Sequence, residues 1–310
     1  MARFGKGIKK DIVTQAKTFV QSKTELGKPR HGDQSGQLHS IRTSQERSRA
    51  LVRAVTDIKQ EYGIRQLSEI TKDMAVAYLE RRAEEVGQKS LDNERLALQM
   101  LAQDKFAMNG EKLERLKTEQ GIKRFESGRA YTPKQVEMIA QAQQAHNALA
   151  TRIAHAAGLR QHELYSLKPI GERSATKDRK WSDNRFTGRE GVRYTVHGKG
   201  GLVREVMIPT ALAEKLEQYR LEQPILKVDQ GVAYQQNYGI GAGRSWAASF
   251  RSAAERSMGW HKGPHGVRHS YAQERMNELQ KHGYTYNQSL AIVSQEMGHF
   301  RADITEVYLR

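Results

Sequence analysis

The chain has 310 residues, long for one small module and short for three, so two domains is the starting expectation. Lys and Arg number 51 against 35 Asp and Glu, a formal net charge of +16, which points to a polyanion, nucleic acid first, as the partner. Cysteine is absent, which excludes disulfide frameworks, thiolate zinc sites and a thiol nucleophile. No run of about 18 apolar residues offers a membrane span, and the N-terminus MARFGKGIKK lacks the apolar stretch of a secretory signal, so the expectation is a soluble intracellular protein without membrane contact.

The basic excess is uneven. Residues 1–53 carry 12 Lys or Arg against 4 acids, residues 54–130 carry 14 of each, and residues 131–310 carry 25 against 17. Arg3, Lys6, Lys9 and Lys10 suit an arm that tracks phosphates, and equally a solubilising tail.

In chain order, Ile12, Val13, Ala16, Phe19 and Val20 recur at helical spacing, until Gly27, Pro29, Gly32 and Gly36 interrupt them. A second helix is expected from about Thr43 to Gly63, framing Leu51, Val55 and Ile58. Thr71 caps a third, which stops at Gly87, and Ser90 starts a fourth. The charged stretch from Gly110 to Gly128 has only a weak apolar stripe and reads as a connector. From Tyr131 a new unit begins, with Thr132-Pro133 as N-cap and first residue of a helix and a further helix from about Asn147. Between Gly191 and Pro209, VRYTVH and LVREVMI flank Gly198-Lys199-Gly200-Gly201, two β-branched strands joined by a glycine-rich turn. Helical patterns resume at 211–219, 245–256, 266–279 and 288–297.

The residues with chemical potential are Arg160 and Glu163 in GLRQHEL, Lys199 in HGKGG, His265 and Arg268 in HGVRHS, His299 in MGHF and Tyr308 in ITEVYL. Breaking a phosphodiester without a metal concentrates charge on the non-bridging oxygens, which fixed guanidiniums neutralise best. Two arginines suit that task, a tyrosine phenol can attack in line, and a lysine on a hairpin tip can protonate the leaving oxygen. Imidazoles beside the phosphate can exchange protons with the phenol or hold the oxygens.

Two other patterns read more plainly. His261, His265 and His269 would share a helix face like zinc ligands, but Gly263-Pro264 breaks that helix and instead starts one with His265 and Arg268 a turn apart, so no metal is expected. GIGAGRS at 239–245 follows no clear strand and lacks a Gly-Lys-Ser/Thr ending, so it reads as a loop rather than a phosphate cradle.

The ordered set Arg160, Lys199, His265 with Arg268, His299 and Tyr308 resembles the tyrosine recombinase (phage-type integrase) family. The contexts match as well as the letters: AAGLRQHEL resembles the first arginine box with its acid three positions on, HGVRHSYA the second, and MGHFRADITEVYLR the third, with Tyr308 nine positions after His299. The resemblance covers roughly residues 131–310; the N-terminal helices resemble a core-binding domain only in being basic, helical and in the expected place.

The resemblance implies a mainly α fold: an N-terminal helical DNA-binding domain over 1–120 with a basic leading segment, a linker at 121–130, and a mixed α/β, mostly helical catalytic domain over 131–310 with a small β-hairpin or sheet. Arg160 and Arg268 would bind the scissile phosphate, Lys199 would be the general acid, and His265 a proton-transfer or phosphate-binding group. His299 would donate a hydrogen bond to the phosphate, Glu163 would support the site, and Tyr308 would form a 3′-phosphotyrosyl bond. Four protomers on double-stranded DNA would exchange strands through a Holliday junction, with no cofactor and with an accessory directionality factor as a further partner, in the cytoplasm on the nucleoid. Integration or excision of a mobile element is the use this implies; a type IB topoisomerase shares the residue set, and a DNA-binding protein with a relic site is the non-enzymatic alternative. One departure is that the sequence stops two residues after Tyr308, whereas relatives usually continue into a tail that docks on a neighbouring protomer.

Overall fold

A computed structural model describes residues 11–26, 35–103, 107–118 and 128–310. The basic leading segment and residues 119–127 of the connector lie outside the described residues, as does the side chain of Lys199. The chain divides into two compact units, Met1–Arg124 and Phe125–Arg310.

The first unit is helical: α1 (Ile12–Ser22), α2 (Ile41–Tyr62), α3 (Lys72–Glu85) and α4 (Gln88–Gln103). Local chemistry sets the ends. Asp11, Ser40 and Thr71 accept first-turn N–H groups, and Gly63, in the left-handed conformation, closes α2. One apolar face of each helix meets in a core that includes Phe19, Leu51, Ile58, Leu79 and Leu98. A carboxylate buried in that core, Glu94, is matched by Arg53 at 2.6 Å, Arg82 at 2.9 Å and the Tyr78 hydroxyl at 2.9 Å. Part of the charged connector belongs here, because Leu113 is fully buried and its N–H is held by Gln99.

The second unit begins with α5 (Pro133–Gln141), where Thr132 and Gln135 form a capping box, and α6 (Ala145–Ala156). A three-stranded antiparallel sheet follows in the order β1 (Lys168–Pro169), β2 (Val192–His197) and β3 (Val203–Ile208), with Thr195 opposite Glu205. After α7 (Thr210–Glu217) come β4 (Arg220–Asp229) and β5 (Val232–Tyr238), then α8 (Gly243–Met258), α9 (Gly266–Lys281), α10 (Tyr286–Glu296), the short α11 (Ala302–Glu306) and a terminal 3-10 turn, Val307–Leu309. Ile153, Val196, Val206, Trp246 and Phe250 share the main core, while α9 and α10 close a second around Tyr271, Leu279 and Val293. No helix among the described residues is long and apolar enough to cross a membrane.

The β4–β5 hairpin is an element that sequence patterning does not reveal. It corrects the reading of GIGAGRS: a strand, β5, does precede it, and α8 starts at Gly243. The segment is still no phosphate cradle. The Asp229 carboxylate accepts the Arg244 N–H at 2.8 Å, and the Gly243 N–H goes to the Gln161 carbonyl, so the helix start is already occupied.

Candidate active site

The site gathers where α6 ends, β3 runs past, α9 begins and α10 gives way to the terminal turn. Gly158 ends the α6 segment with φ +59°, a left-handed conformation that turns the chain so that Arg160 and Glu163 follow directly. Glu163 accepts the Arg160 backbone N–H at 2.8 Å and the Arg160 guanidinium at 2.6 Å. Its other partner is Arg204 on β3, whose Nη2 lies 2.7 Å away. Glu163 and Arg204 expose only 2% and 1% of their side chains. Burial alone would raise the Glu163 carboxyl, but Arg204, Arg160 and Arg268 outweigh it and hold the group at about 2.

Arg204 is a site residue that reading the sequence misses. A signal was present: strand alternation puts it on the same face as Val206 and Ile208, which are buried, and a guanidinium on a core face requires a carboxylate partner. It also donates to the Glu296 carbonyl at 2.5 Å and to the Gly158 carbonyl at 3.3 Å.

Arg268, the third residue of α9, is fully buried and donates to the carbonyls of Gly158 and Met297. Burial, then repulsion from Arg160, pushes its guanidinium down to about 9. Its Nη2 also lies 3.0 Å from His299 Nε2. A guanidinium has no acceptor, so His299 Nε2 carries no proton, and the proton sits on Nδ1, which donates to the buried Thr305 hydroxyl at 3.1 Å. His299 is therefore a neutral acceptor in this packing, held at about 3 by desolvation and by the guanidiniums of Arg268, Arg160 and Arg204.

Tyr308 closes the group. Its hydroxyl is 3.2 Å from His265 Nε2, and its ring lies 5.4 Å from His265, 4.7 Å from His269 and 5.1 Å from His299. The Arg268 guanidinium stands 5.6 Å from the Tyr308 ring centroid. His265 occupies the residue before α9, partly open to solvent, and is lowered to about 4 by desolvation, then by Arg268, His269, Arg160 and Arg129. His269, which the sequence suggests only as part of a zinc-like spacing, is 4% exposed and packs on Tyr308 instead. Lys199 lies in the tight turn between β2 and β3, where a Cβ added at the neighbouring Gly198 would stand 3.6 Å from Glu163 Oε1. Thus the structure brings Arg160, Glu163, His265, Arg268, His299 and Tyr308 together and sets the turn carrying Lys199 beside them.

Two expected outcomes follow from this geometry. A methyl at Gly158 would meet the Tyr271 ring at 2.6 Å in a left-handed backbone, so Gly158→Ala should cost about 2–4 kcal/mol in urea denaturation. The second concerns pH. His269 and His299 are lowered from 6.5 to about 4 and about 3, so protons bind the unfolded chain more tightly. Their stabilisation is complete above about pH 6.5 and is lost as pH falls toward the folded values. The melting temperature should drop between about pH 6.5 and 4, less steeply for His269→Gln; a flat wild-type profile over that window would contradict the buried neutral imidazoles.

No family model and no curated protein matches this chain. Solved structures do. XerH site-specific recombinase, bound to palindromic difH substrate in a post-cleavage complex, is similar with a TM-score of 0.58 over 98% of this chain and 94% of that one, at 16% identity. A lambda integrase dimer bound to a COC′ core site gives 0.56 over 96% and 94%, at 14% identity. The Tn1549 transposon integrase in complex with transposon right end DNA gives 0.52 over 97% and 95%, at 15% identity. The fold of this chain is similar to that of these recombinase and integrase structures.

Proposed function

We propose that this chain is a site-specific DNA recombinase of the tyrosine type, which cleaves and rejoins duplex DNA through a 3′-phosphotyrosyl intermediate and integrates or excises a mobile element. The observation that carries the reading is the seating of the Tyr308 hydroxyl on His265 within a cluster that also holds Arg268, His299 and, through Glu163, Arg160.

Arg160 and Arg268 bind the non-bridging oxygens of the scissile phosphate and neutralise the charge that builds there. The Arg268 Nε–H has no acceptor among the described residues, and a phosphate oxygen is the acceptor that this chemistry supplies. An imidazole at about 4 is a poor base for a phenol, so proton transfer from Tyr308 to His265 waits for the phosphate. The phosphate's negative charge offsets the repulsion from Arg268 and Arg160 and raises His265 into a useful range. The phenolic oxygen then bonds to phosphorus, the bond from phosphorus to the 5′ oxygen breaks, and that oxygen takes a proton from Lys199. The ester bond to Tyr308 conserves the phosphodiester's energy, so a 5′ hydroxyl of a second strand can reverse the step without ATP. His299 begins as an acceptor from Arg268 and becomes a phosphate donor only after its proton shifts to Nε2 or a second proton is gained.

Double-stranded DNA is the partner, on the nucleoid of the cytoplasm, and a homotetramer is the working assembly. Supporting this, the structurally similar lambda integrase, with a TM-score of 0.54, was solved as a tetramer bound to a Holliday junction. Sequencing DNA fragments covalently trapped on the protein tests the reading. Breakpoints clustered at a short recurrent sequence are expected; breakpoints scattered over the DNA would instead indicate a topoisomerase.

A further inference from the structure

Between β1 and β2 the chain makes a long excursion, residues 170–191, with no regular secondary structure. It is nevertheless anchored. Thr176 exchanges hydrogen bonds with Val203 at the start of β3, the Ser182 N–H reaches Gln295 at 2.6 Å, and the Phe186 N–H reaches Glu296 at 2.7 Å. Trp181 packs on Phe300 with ring centroids 4.8 Å apart, and the Arg179 guanidinium lies 5.3 Å from the Phe300 ring centroid. Phe300 directly follows His299 and has φ +54°, a conformation a bulky side chain adopts only when its surroundings impose it.

Lys177, Arg179 and Lys180 stand exposed on this excursion. Among the described residues none of the three has a carboxylate partner, and the neighbouring acids Asp178 and Asp183 pair with none of them. The other three cations of the stretch are engaged internally. Arg173 donates to Thr195 and Ser166, Arg185 lies against Trp181 and Glu205, and Arg189 donates to the Glu278 carboxylate and the Ala156 carbonyl. Three exposed cations in four residues without a carboxylate partner among the described residues, on a base tied to the residue after His299, match the close charge spacing of a nucleic acid backbone.

We infer that residues 176–185 form a second DNA contact beside the cleavage site, in which Lys177, Arg179 and Lys180 neutralise phosphates flanking the scissile one. Trp181 and Phe300 fix that contact relative to His299. Resting on Phe300 also limits the rotamers Arg179 must give up on binding. The inference rests on the DNA recombinase reading above and adds to it where the backbone continues.

The test uses the full chain and a labelled linear duplex, with affinity measured by anisotropy between about 0.05 and 0.2 M salt. Lys177→Gln/Arg179→Gln/Lys180→Gln should make the logarithmic salt slope shallower by about 2–3 and weaken binding by on the order of 10-fold or more. An equally charged control, Lys215→Gln/Lys227→Gln/Lys281→Gln, should leave the slope within about one unit of the wild type. A loop variant with an unchanged slope, or one that shifts no more than the control, overturns the contact. Absence of salt-dependent binding by the wild type would be a different failure, of the DNA reading itself. Unchanged melting temperatures confirm that the variants are folded.

Discussion

Tyr308→Phe is expected to abolish DNA strand cleavage, by on the order of 10⁴-fold or more, while leaving the fold and DNA affinity nearly intact. The substitution removes one oxygen, the atom that lies 3.2 Å from His265 Nε2. Everything else the ring does survives: contacts with the three imidazoles and with the Arg268 guanidinium involve its faces and edges. A role confined to packing predicts cleavage within a few-fold of wild type, because phenylalanine fills the same space. Binding and cleavage must therefore be measured on the same DNA; a variant that binds and still cuts would assign the nucleophile elsewhere.

Arg204→Met should be the most costly change to stability, about 3–5 kcal/mol in urea denaturation, because it breaks a buried ion pair from one side. Glu163 would keep its charge with the partly exposed Arg160 as its remaining ion-pair partner and Arg268 acting only at longer range, and the carbonyls of Glu296 and Gly158 would each lose a donor. The double variant Arg204→Met/Glu163→Leu should recover much of that loss, since two apolar groups replace the pair. It should not recover cleavage, because Arg160 loses the carboxylate that orients it. Recovery of both would reduce Glu163 to a packing role. The pH dependence has a fixed sign: with Glu163 lowered from 4.5 to about 2, its stabilisation is present above about pH 4.5 and is lost as pH falls toward 2.

Much of this site was legible because the family's motif letters are local. GLRQHEL, HGVRHS and MGHF each carry their functional residue with its immediate neighbours, and the glycine-rich turn with its β-branched flanks announces β2 and β3. What escaped depends on contacts distant in sequence. Arg204 is defined by Glu163, 41 positions away, and the capping of α8 by Asp229, 15 positions before Arg244. The β4–β5 hairpin escaped for another reason. From Glu222 to Val228 β4 is exposed on both faces, with Leu226 at 72% and Val228 at 69%, so no two-residue alternation marks it. Helix α9 was found despite weak amphipathicity: Arg268, His269, Ser270 and Arg275 all point inward, and their partners lie on other elements. The tautomer of His299 likewise follows from Arg268 and Thr305, which no local pattern joins to it.

The most direct test of the proposed chemistry is to incubate the protein with supercoiled DNA from its source genome in the presence of EDTA, trap the covalent complex under denaturing conditions, digest it and identify the modified peptide by mass spectrometry. The predicted result is a phosphodiester-linked nucleotide on Tyr308, formed without metal, absent from Tyr308→Phe, and joined through the 3′ end of the DNA with a free 5′ hydroxyl opposite. An adduct on any other residue, or one that persists in Tyr308→Phe, would contradict Tyr308 as the nucleophile. No adduct from a wild-type protein that binds the same DNA would favour a DNA-binding protein whose recombinase site is inactive.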